Sequence, residues 1–312
     1  MRAAILREVG RPPEAGEFEE PQPEHGQAVV EVLAAGVNPV DLAKASGSFY
    51  AGPPSVPSVV GGEGVGRLPD GRIAYFDGPQ APFGSIAERS LISEEQAMPL
   101  PDGLDPALAV CFGVAGLAAW LALEWRAELQ PGETVLVLGA SGVVGQLAVQ
   151  AAKLMGAGRV VAAARSEEGL RRAAERGADA TVSLGETHDL AEAFREAAAG
   201  DIHVVIDPVW GEPAAAAVEA ASERARLVQL GQSAGATSEL SSAAIRGKLL
   251  SILGHSNFKA PPEVKRAAYL RMAEHGAAGE LRVEVEKLPL ERVQEAWERQ
   301  ASSPGHKLVV VP

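Results

Sequence analysis

The 312-residue chain has a single cysteine, few aromatic residues and no apolar run long enough to cross a bilayer. A lone cysteine excludes an internal disulfide and a cysteine-rich zinc site. Aromatic residues make up 4% of the chain, too few to predict a platform on which nucleic-acid bases stack. No signal-peptide pattern precedes the strand-like segment Arg2–Leu6, so we expect a cytoplasmic protein that has no membrane partner.

Positive charge is also scarce. Lysine and arginine number 28 against 41 aspartate and glutamate residues, which gives a formal net charge of −13. Because an acidic surface repels polyanions, we expect no nucleic-acid partner, and any anionic ligand would need local positive groups. The six histidines show no metal-ligand spacing, so we expect no metal site.

The segment Thr134–Val149 combines an apolar strand, a turn of small residues and a helix. This arrangement places a dinucleotide pyrophosphate on a helix N-terminus, where unpaired backbone N–H groups face the phosphates. We expect the helix to open at Gly145 and to continue to about Gly156. A purely structural turn is the alternative. The predicted cofactor-binding residues of this turn are Ala140, Ser141, Gly142, Val143, Val144 and Gly145.

The next strand, Arg159–Ala164, ends where an acidic residue would bind the adenosine ribose 2′-hydroxyl. The chain has Ala164, Arg165 and Ser166 there instead. A guanidinium and a hydroxyl can bind a 2′-phosphate, and no carboxylate repels it. These three residues therefore predict NADP(H) as the cofactor, unless Arg165 is a solvated loop cation. Two arginines on the following helix can add to the positive potential.

The composition of the chain changes along its length. Residues 1–108 contain short strands broken by proline and glycine, whereas apolar strands alternate with helices from about residue 131. The second pattern indicates a doubly wound parallel sheet. We predict an α/β protein with a β-rich domain over 1–108, completed by 255–312, and a Rossmann domain over 109–254. Further predicted elements are a helix over Pro106–Leu123 and strands over Ser85–Ile92 and Leu281–Val285.

The local motifs, in their order along the chain, resemble those of the zinc-independent medium-chain dehydrogenases/reductases. The resemblance is specifically to quinone oxidoreductases of the zeta-crystallin type, and it covers nearly the whole chain. The matching segments are Gly36–Asp41, Ser46–Gly47 with Tyr50, Gly61–Gly66, Phe83–Glu88, 139–145, Leu230–Ser233 and Gly305–Val309.

The resemblance implies a GroES-like N-terminal domain, an inserted Rossmann domain and NADPH in the cleft between them. It also implies two-electron reduction of a quinone or another conjugated carbonyl compound, and a homodimer. Leu249–Leu253 is the candidate dimer strand because its apolar edge could pair with a twofold mate. The chain departs from zinc-dependent relatives at Gly62, where they have a histidine. It departs from its own family at Gly116–Ala119, where a threonine is usual.

Without a metal the enzyme must rely on the chemistry of its cofactor, which favours quinones and enones over simple ketones. Asn38 is the first catalytic candidate, through its amide, or else it stabilises a turn before Pro39. Tyr50 either donates its phenol to an enolate or packs across the cleft mouth. We expect Asp41 to hold the loop by hydrogen bonding. Gly231, Gln232 and Lys307 are the remaining predicted cofactor contacts, with a plain surface position as the alternative for Lys307.

Two other functions stay open from the sequence. One is reduction of 2-enoyl thioesters, which related families perform on the same scaffold. The other is a low-turnover NADPH-binding sensor or structural protein, to which the absence of threonine at Gly116–Ala119 gives slight support. The acidic composition weakly disfavours the first, because a carrier phosphate would need basic contacts.

Overall fold

The computed structural model describes all 312 residues and divides the chain into two units. Unit 1 comprises Met1–Val114 and Tyr269–Pro312, and unit 2 comprises Ala115–Ala268. Both boundaries lie further along the chain than the predicted ones, which followed residues 108 and 254. The second boundary falls inside the helix Pro262–Ala277.

Sixteen strands and ten α-helices form the two units. The strands are β1 (Arg2–Leu6), β2 (Glu14–Glu17), β3 (Gln27–Gly36), β4 (Ser58–Val59), β5 (Glu63–Arg67), β6 (Ile73–Asp77), β7 (Arg89–Ser93), β8 (Met98–Pro99), β9 (Thr134–Leu138), β10 (Arg159–Ala164), β11 (Ala180–Ser183), β12 (Val204–Asp207), β13 (Arg226–Gln229), β14 (Ser251–Gly254), β15 (Val285–Pro289) and β16 (Lys307–Val311). The helices are α1 (Pro39–Ala45), α2 (Pro106–Ala109), α3 (Val114–Leu121), α4 (Val143–Leu154), α5 (Glu167–Glu175), α6 (Leu190–Ala198), α7 (Gly211–Ala220), α8 (Ser242–Gly247), α9 (Pro262–Ala277) and α10 (Val293–Ala301).

Unit 1 contains a three-stranded sheet in the order β2-β1-β4 and a seven-stranded sheet. The larger sheet has the order β15-β16-β3-β5-β6-β8, and β7 pairs with β3. Side chains of β3 alternate between buried and less buried positions before its last three residues, Ala34–Gly36, become fully buried. This alternation is expected of a strand with one face on the core, and the buried end leads directly into Asn38 and α1.

Two predicted strands of unit 1 were misplaced. β7 begins at Arg89 rather than Ser85, because residues before Arg89 make only an isolated bridge between Ala87 and β1. β15 begins at Val285, the residue that pairs with Lys307 at the start of β16, so Leu281–Glu284 have no partner strand there.

The predicted helix over Pro106–Leu123 is interrupted. α2 is followed by a 3-10 turn, Val110–Phe112, and α3 by a π-helical turn, Ala122–Arg126. Between α2 and α3 the backbone of Gly113 turns sharply, with φ −68° and ψ −116°. A Cβ on Gly113 would lie 2.1 Å from Glu63 Oε2, so this break needs glycine. No helix is by itself long and apolar enough to cross a membrane; only the bent pair Pro106–Phe112 and Val114–Arg126 has that length and composition.

Unit 2 is built on a six-stranded parallel sheet in the order β11-β10-β9-β12-β13-β14. Counted within the sheet, this is the Rossmann order 3-2-1-4-5-6, which confirms the predicted doubly wound fold. Every residue of β9 is buried, as expected for a central parallel strand covered on both faces. The order reverses between β9 and β12, and ligands of such sheets bind outside the strand ends at that point.

Candidate functional site

The turn that follows β9 has the features of an anion-binding helix N-terminus. Its helix, α4, begins at Val143, two residues before the predicted start, and no side chain caps the N-cap residue Gly142. A Cβ on Gly142 would have Gly139 O, at 3.6 Å, as its nearest neighbour. The space beside the uncapped N–H groups is therefore open, as close approach of a phosphate requires.

The other glycines of the turn serve packing. A Cβ on Gly145 would lie 2.4 Å from Gly139 O and 2.6 Å from Ala140 Cα, so α4 can approach the turn only with glycine there. Gly169 of α5 has the same function on the opposite side, where its Cβ would lie 2.3 Å from Ser141 Cβ. Gly169 is not among the predicted site residues, although a glycine within an amphipathic helix is a usable signal.

The end of β10 presents an exposed guanidinium. Ala164 is buried, whereas Arg165 and Ser166 are exposed. Ser166 caps α5, because its Oγ accepts a hydrogen bond of 3.1 Å from Gly169 N. Arg165 has no carboxylate within ion-pairing distance. Arg171, by contrast, pairs with carboxylates on its own helix, Glu168 at 2.6 Å and Glu175.

Two more strand ends lie at the same edge of the sheet. Gly231 follows β13, and a Cβ there would lie 2.7 Å from Pro208 O, while Gln232 beside it is exposed. Asp207 ends the neighbouring strand β12 and is fully buried. Its Oδ1 accepts hydrogen bonds from the backbone N–H groups of Val209 (2.9 Å) and Trp210 (2.8 Å), and burial raises its pKa.

A buried ionic cluster in unit 1 contains two of the predicted site residues, Asn38 and Lys307. Lys307 Nζ donates to Asn38 Oδ1 at 2.6 Å and to Glu63 Oε1 at 2.9 Å. Asn38 Nδ2 donates to the same Glu63 oxygen at 2.7 Å. Glu63 and Lys307 are 0% and 2% exposed, which excludes the alternative of a surface lysine. The three side chains hold one another in a single orientation.

The second carboxylate oxygen of Glu63 binds two further groups. Glu63 Oε2 accepts hydrogen bonds from Val114 N at 2.6 Å and from the Tyr75 hydroxyl at 3.1 Å. The Tyr75 ring stacks on Tyr269 of α9, with ring centroids 4.2 Å apart, and the Tyr269 hydroxyl donates to Ala109 O. Burial and the charge of Glu63 raise the pKa of Tyr75 well above its ordinary value. Glu63 lies in one of the matching motifs, Gly61–Gly66, but its contacts with Val114 and Tyr75 were not predicted.

Asn38 also begins α1, and its backbone N–H donates to Asp41 Oδ2 at 2.9 Å. This contact confirms the predicted role of Asp41 in holding the segment. Burial, and next the charge of Glu63, raise the pKa of Asp41 to about 6, against the opposing effect of Lys44. Tyr50 lies outside the buried cluster; it is 69% exposed, and its ring lies against Phe49 with centroids 4.2 Å apart.

The chain is similar to known dehydrogenases over both units. A family described as zinc-binding dehydrogenases matches residues 143–273. A quinone oxidoreductase of Pseudomonas aeruginosa is 30% identical over 72% of this chain and 71% of its own length. The chain belongs to the quinone oxidoreductase family. This confirms the resemblance to the medium-chain dehydrogenases/reductases.

Two further relatives of this chain are informative. The quinone oxidoreductase of Thermus thermophilus, solved also in complex with NADPH, matches with a TM-score of 0.83 and 30% identity over the full length of both chains. A phenolphthiocerol/phthiocerol polyketide synthase polypeptide of Mycobacterium tuberculosis is 30% identical over 90% of this chain. The chain spans 13% of the length of that synthase polypeptide.

The residues of this chain do not fit the zinc that the description of the matching family implies. No group of three or more His, Cys, Asp or Glu side chains is arranged to hold a metal ion. The Lys307 ammonium, 2.9 Å from the Glu63 carboxylate, would repel a second cation. The single cysteine, Cys111, is buried, and its thiol donates to Ala107 O at 3.2 Å rather than joining a cluster of metal-binding side chains.

Proposed function

We propose that this protein is an NADPH-dependent reductase of quinones or α,β-unsaturated carbonyl compounds and that it works without zinc. The observation that carries the proposal is the unpaired Arg165 guanidinium at the end of β10, beside the turn whose backbone is open at Gly142. A guanidinium without a carboxylate partner favours a 2′-phosphate, and an open helix N-terminus favours a pyrophosphate.

The cofactor contacts are assigned by chemistry. Backbone N–H groups of residues 140–145 would bind the pyrophosphate, and Arg165 with Ser166 would bind the 2′-phosphate. Gly231, Gln232 and Lys307 remain proposed contacts of the same cofactor. The bound NADPH would supply the hydride that reduces the acceptor. The NADPH complex of the Thermus relative supports this choice of cofactor.

Asn38 and Tyr50 remain the proposed catalytic residues. The Asn38 amide is fixed by Glu63 and Lys307. It would therefore donate a hydrogen bond to the substrate oxygen without losing further side-chain entropy. Conjugated acceptors suit this donor set because charge that develops on their oxygen is delocalised, and they need less polarisation than an isolated ketone. The Tyr50 hydroxyl would donate its proton to an enolate formed in the reaction.

A second candidate is reduction of 2-enoyl thioesters. The observation in its favour is the match of 90% of this chain to a segment of a polyketide synthase. A crotonyl thioester therefore belongs among the tested acceptors.

We also propose a cytoplasmic homodimer without nucleic-acid or membrane partners. β14 is the edge strand of the unit 2 sheet, and no strand covers its outer edge. Its residues are mostly exposed, and Ile252 together with the preceding Leu249 presents apolar surface, 37% and 58% exposed. Such an edge is suited to pairing with its twofold mate.

The test is NADPH oxidation with duroquinone, a naphthoquinone, a 2-alkenal, a crotonyl thioester and cyclohexanone, with and without a chelator. The proposal predicts turnover with the quinones or the alkenal, little with cyclohexanone, and no effect of the chelator. Preference for the thioester would establish the second candidate. Tight NADPH binding without turnover would establish a sensor or structural role instead.

A further inference from the structure

Unit 1 contains a cavity of about 260 Å³. Its wall is formed by α1, by residues 54–62 and 78–84, and by Leu6 of β1. Most of the lining is apolar or backbone, including Val59 and Phe83. Asp41 and Lys44 are its only ionisable side chains. An apolar cavity with a few polar groups at one place is the usual form of a small-molecule site.

The two ionisable groups converge on Gly62. A Cβ on Gly62 would lie 3.3 Å from Asp41 Oδ1 and 3.6 Å from Lys44 Nζ. Because Gly62 has no side chain, no Cβ stands between its backbone and these two groups. Asp41 and Lys44 are three residues apart on α1, a spacing that places side chains on the same face of a helix.

The surroundings of the pair fix its geometry. Asp41 is held through Oδ2 by the Asn38 N–H at 2.9 Å, which leaves Oδ1 as the atom on the side of Gly62. Lys44 Nζ lies 5.7 Å from the centroid of the Phe49 ring. The ammonium therefore has a carboxylate and an aromatic face as neighbours, and both attract a positive charge.

We propose that this cavity binds a small carbonyl compound and that the Lys44 ammonium donates a hydrogen bond to its oxygen, with Asp41 as the counter-charge. The inference rests on the proposed function for the reaction itself. As the acceptor carbon gains a hydride, charge develops on the oxygen, whose lone pair takes a proton from Lys44 as its N–H bond breaks. The neutral amine regains a proton from water. The acceptor would thus gain one proton from Lys44 and one hydride, which a bound NADPH would supply by its two-electron oxidation.

The volume of the cavity limits the size of the ligand that it can bind. Pockets for drug-sized molecules measure roughly 300–1,000 Å³, so 260 Å³ suits a single-ring quinone or a short enone. The long arm of a carrier-bound thioester would have to extend beyond this cavity.

A phenolate probe tests the site without cofactor or turnover. 4-Nitrophenol carries its oxyanion on a single ring, and its ionisation is followed by absorbance. In excess protein, the bound probe should ionise about one pH unit lower than the free probe, because an adjacent ammonium stabilises the phenolate. K44R should retain most of this shift and K44M should lose it. K287M is the matched control, since Lys287 is an exposed lysine of unit 1 that pairs with Asp105.

The possible outcomes distinguish a failure of the proposed site from a failure of the proposed function. An unchanged shift in correctly folded K44M, or no binding to the wild-type protein at millimolar probe, would overturn the site. With duroquinone, the K44M substitution should also lower kcat/KM by about 10- to 100-fold. An unchanged kcat/KM would contradict the proposed role of Lys44. A Lys44-dependent shift in a protein that reduces no acceptor would leave the site in place and remove the proposed function. Thermal melting of K44M and K44R checks that both variants are folded.

Discussion

Glu63 Oε2 accepts a 2.6 Å hydrogen bond from the backbone N–H of Val114, fifty-one residues away. Through its other oxygen the same carboxylate binds Asn38 and Lys307. One buried side chain thus connects the start of α1, the start of α3 and the start of β16. Because Glu63, Asn38 and Lys307 are all buried, the cluster depends on each of these three side chains being present.

Removing one charge from the cluster should destabilise the protein strongly. E63Q leaves the buried Lys307 ammonium without a counter-charge, and we expect a loss of about 3–5 kcal/mol in unfolding free energy. E63Q combined with K307M removes both charges and should recover a large part of that loss. Urea denaturation followed by circular dichroism measures both values.

The exposed Glu31, which pairs loosely with Arg67 at 3.8 Å, provides the control for the glutamate series. E31Q should change the unfolding free energy by less than about 1 kcal/mol. Equal losses in E63Q and E31Q would contradict a structural role for the buried cluster. Strictly additive effects of E63Q and K307M would contradict the direct pairing of these two residues.

The buried Asp41 should make stability fall as pH rises. Its pKa is about 6 in the folded protein, raised from an ordinary value near 3.8 by burial and the charge of Glu63. The native state therefore binds the proton more tightly than the unfolded chain. The stability gained in this way is complete below about pH 4 and is lost as pH rises through 6.

D41N is neutral at every pH and should remove this dependence. Relative to the wild type, the variant should become more stable by on the order of 2–3 kcal/mol between pH 4 and pH 8. Denaturant midpoints measured at both pH values give the difference. A wild-type-minus-variant difference that stays constant with pH would show that Asp41 is already ionised at pH 4.

The two glycines of the nucleotide turn should respond differently to alanine. At Gly145 a Cβ meets backbone atoms at 2.4 and 2.6 Å, so G145A should lower the melting temperature by several degrees. At Gly142 the space is open, so G142A should melt like the wild type but bind NADPH at least tenfold more weakly. Melting curves and fluorescence titration separate the two effects, and G185A is a control because no atom lies within 4 Å of its Cβ. Full NADPH affinity in G142A would argue against phosphate binding at this turn.

The exposed edge of β14 should control assembly. I252R places a charge on a strand edge that is otherwise apolar at Leu249 and Ile252. We expect the variant to elute as a monomer and the wild type as a dimer in size-exclusion chromatography with light scattering, while NADPH affinity is unchanged. A monomeric wild type, or a dimer that persists in I252R, would place any interface elsewhere.

The sequence predicted unit 2 better than unit 1, and the reasons are physical. Continuous apolar strands such as β9 alternate with helices, and this local pattern is sufficient to indicate a parallel sheet. The break at Gly113 has a distant cause, because it depends on a carboxylate at Glu63 that no nearby residue reveals. Lys307 and Asn38 are separated by 269 positions, so their hydrogen bond could not be predicted from spacing.

The sequence also predicted part of the candidate site. The turn after β9 and the arginine after β10 follow from local motifs, and the structure places both at the expected strand ends. Tyr50 was selected from a motif alone, and motifs do not report exposure. The cavity beside Asp41 and Lys44 depends on two distant segments, 54–62 and 78–84, and on the missing side chain at Gly62, which local sequence does not show.

The most direct test of the account is the cofactor preference of Arg165 variants. The ratio of kcat/KM for NADPH to that for NADH should be measured with duroquinone in the wild type, R165A and R171A. We predict a wild-type preference for NADPH that falls about 10- to 100-fold in R165A, since a charge-assisted contact to phosphate is lost. R171A should keep the preference, because Arg171 pairs with Glu168 and Glu175. An unchanged ratio in R165A, or a wild type that prefers NADH, would contradict the account.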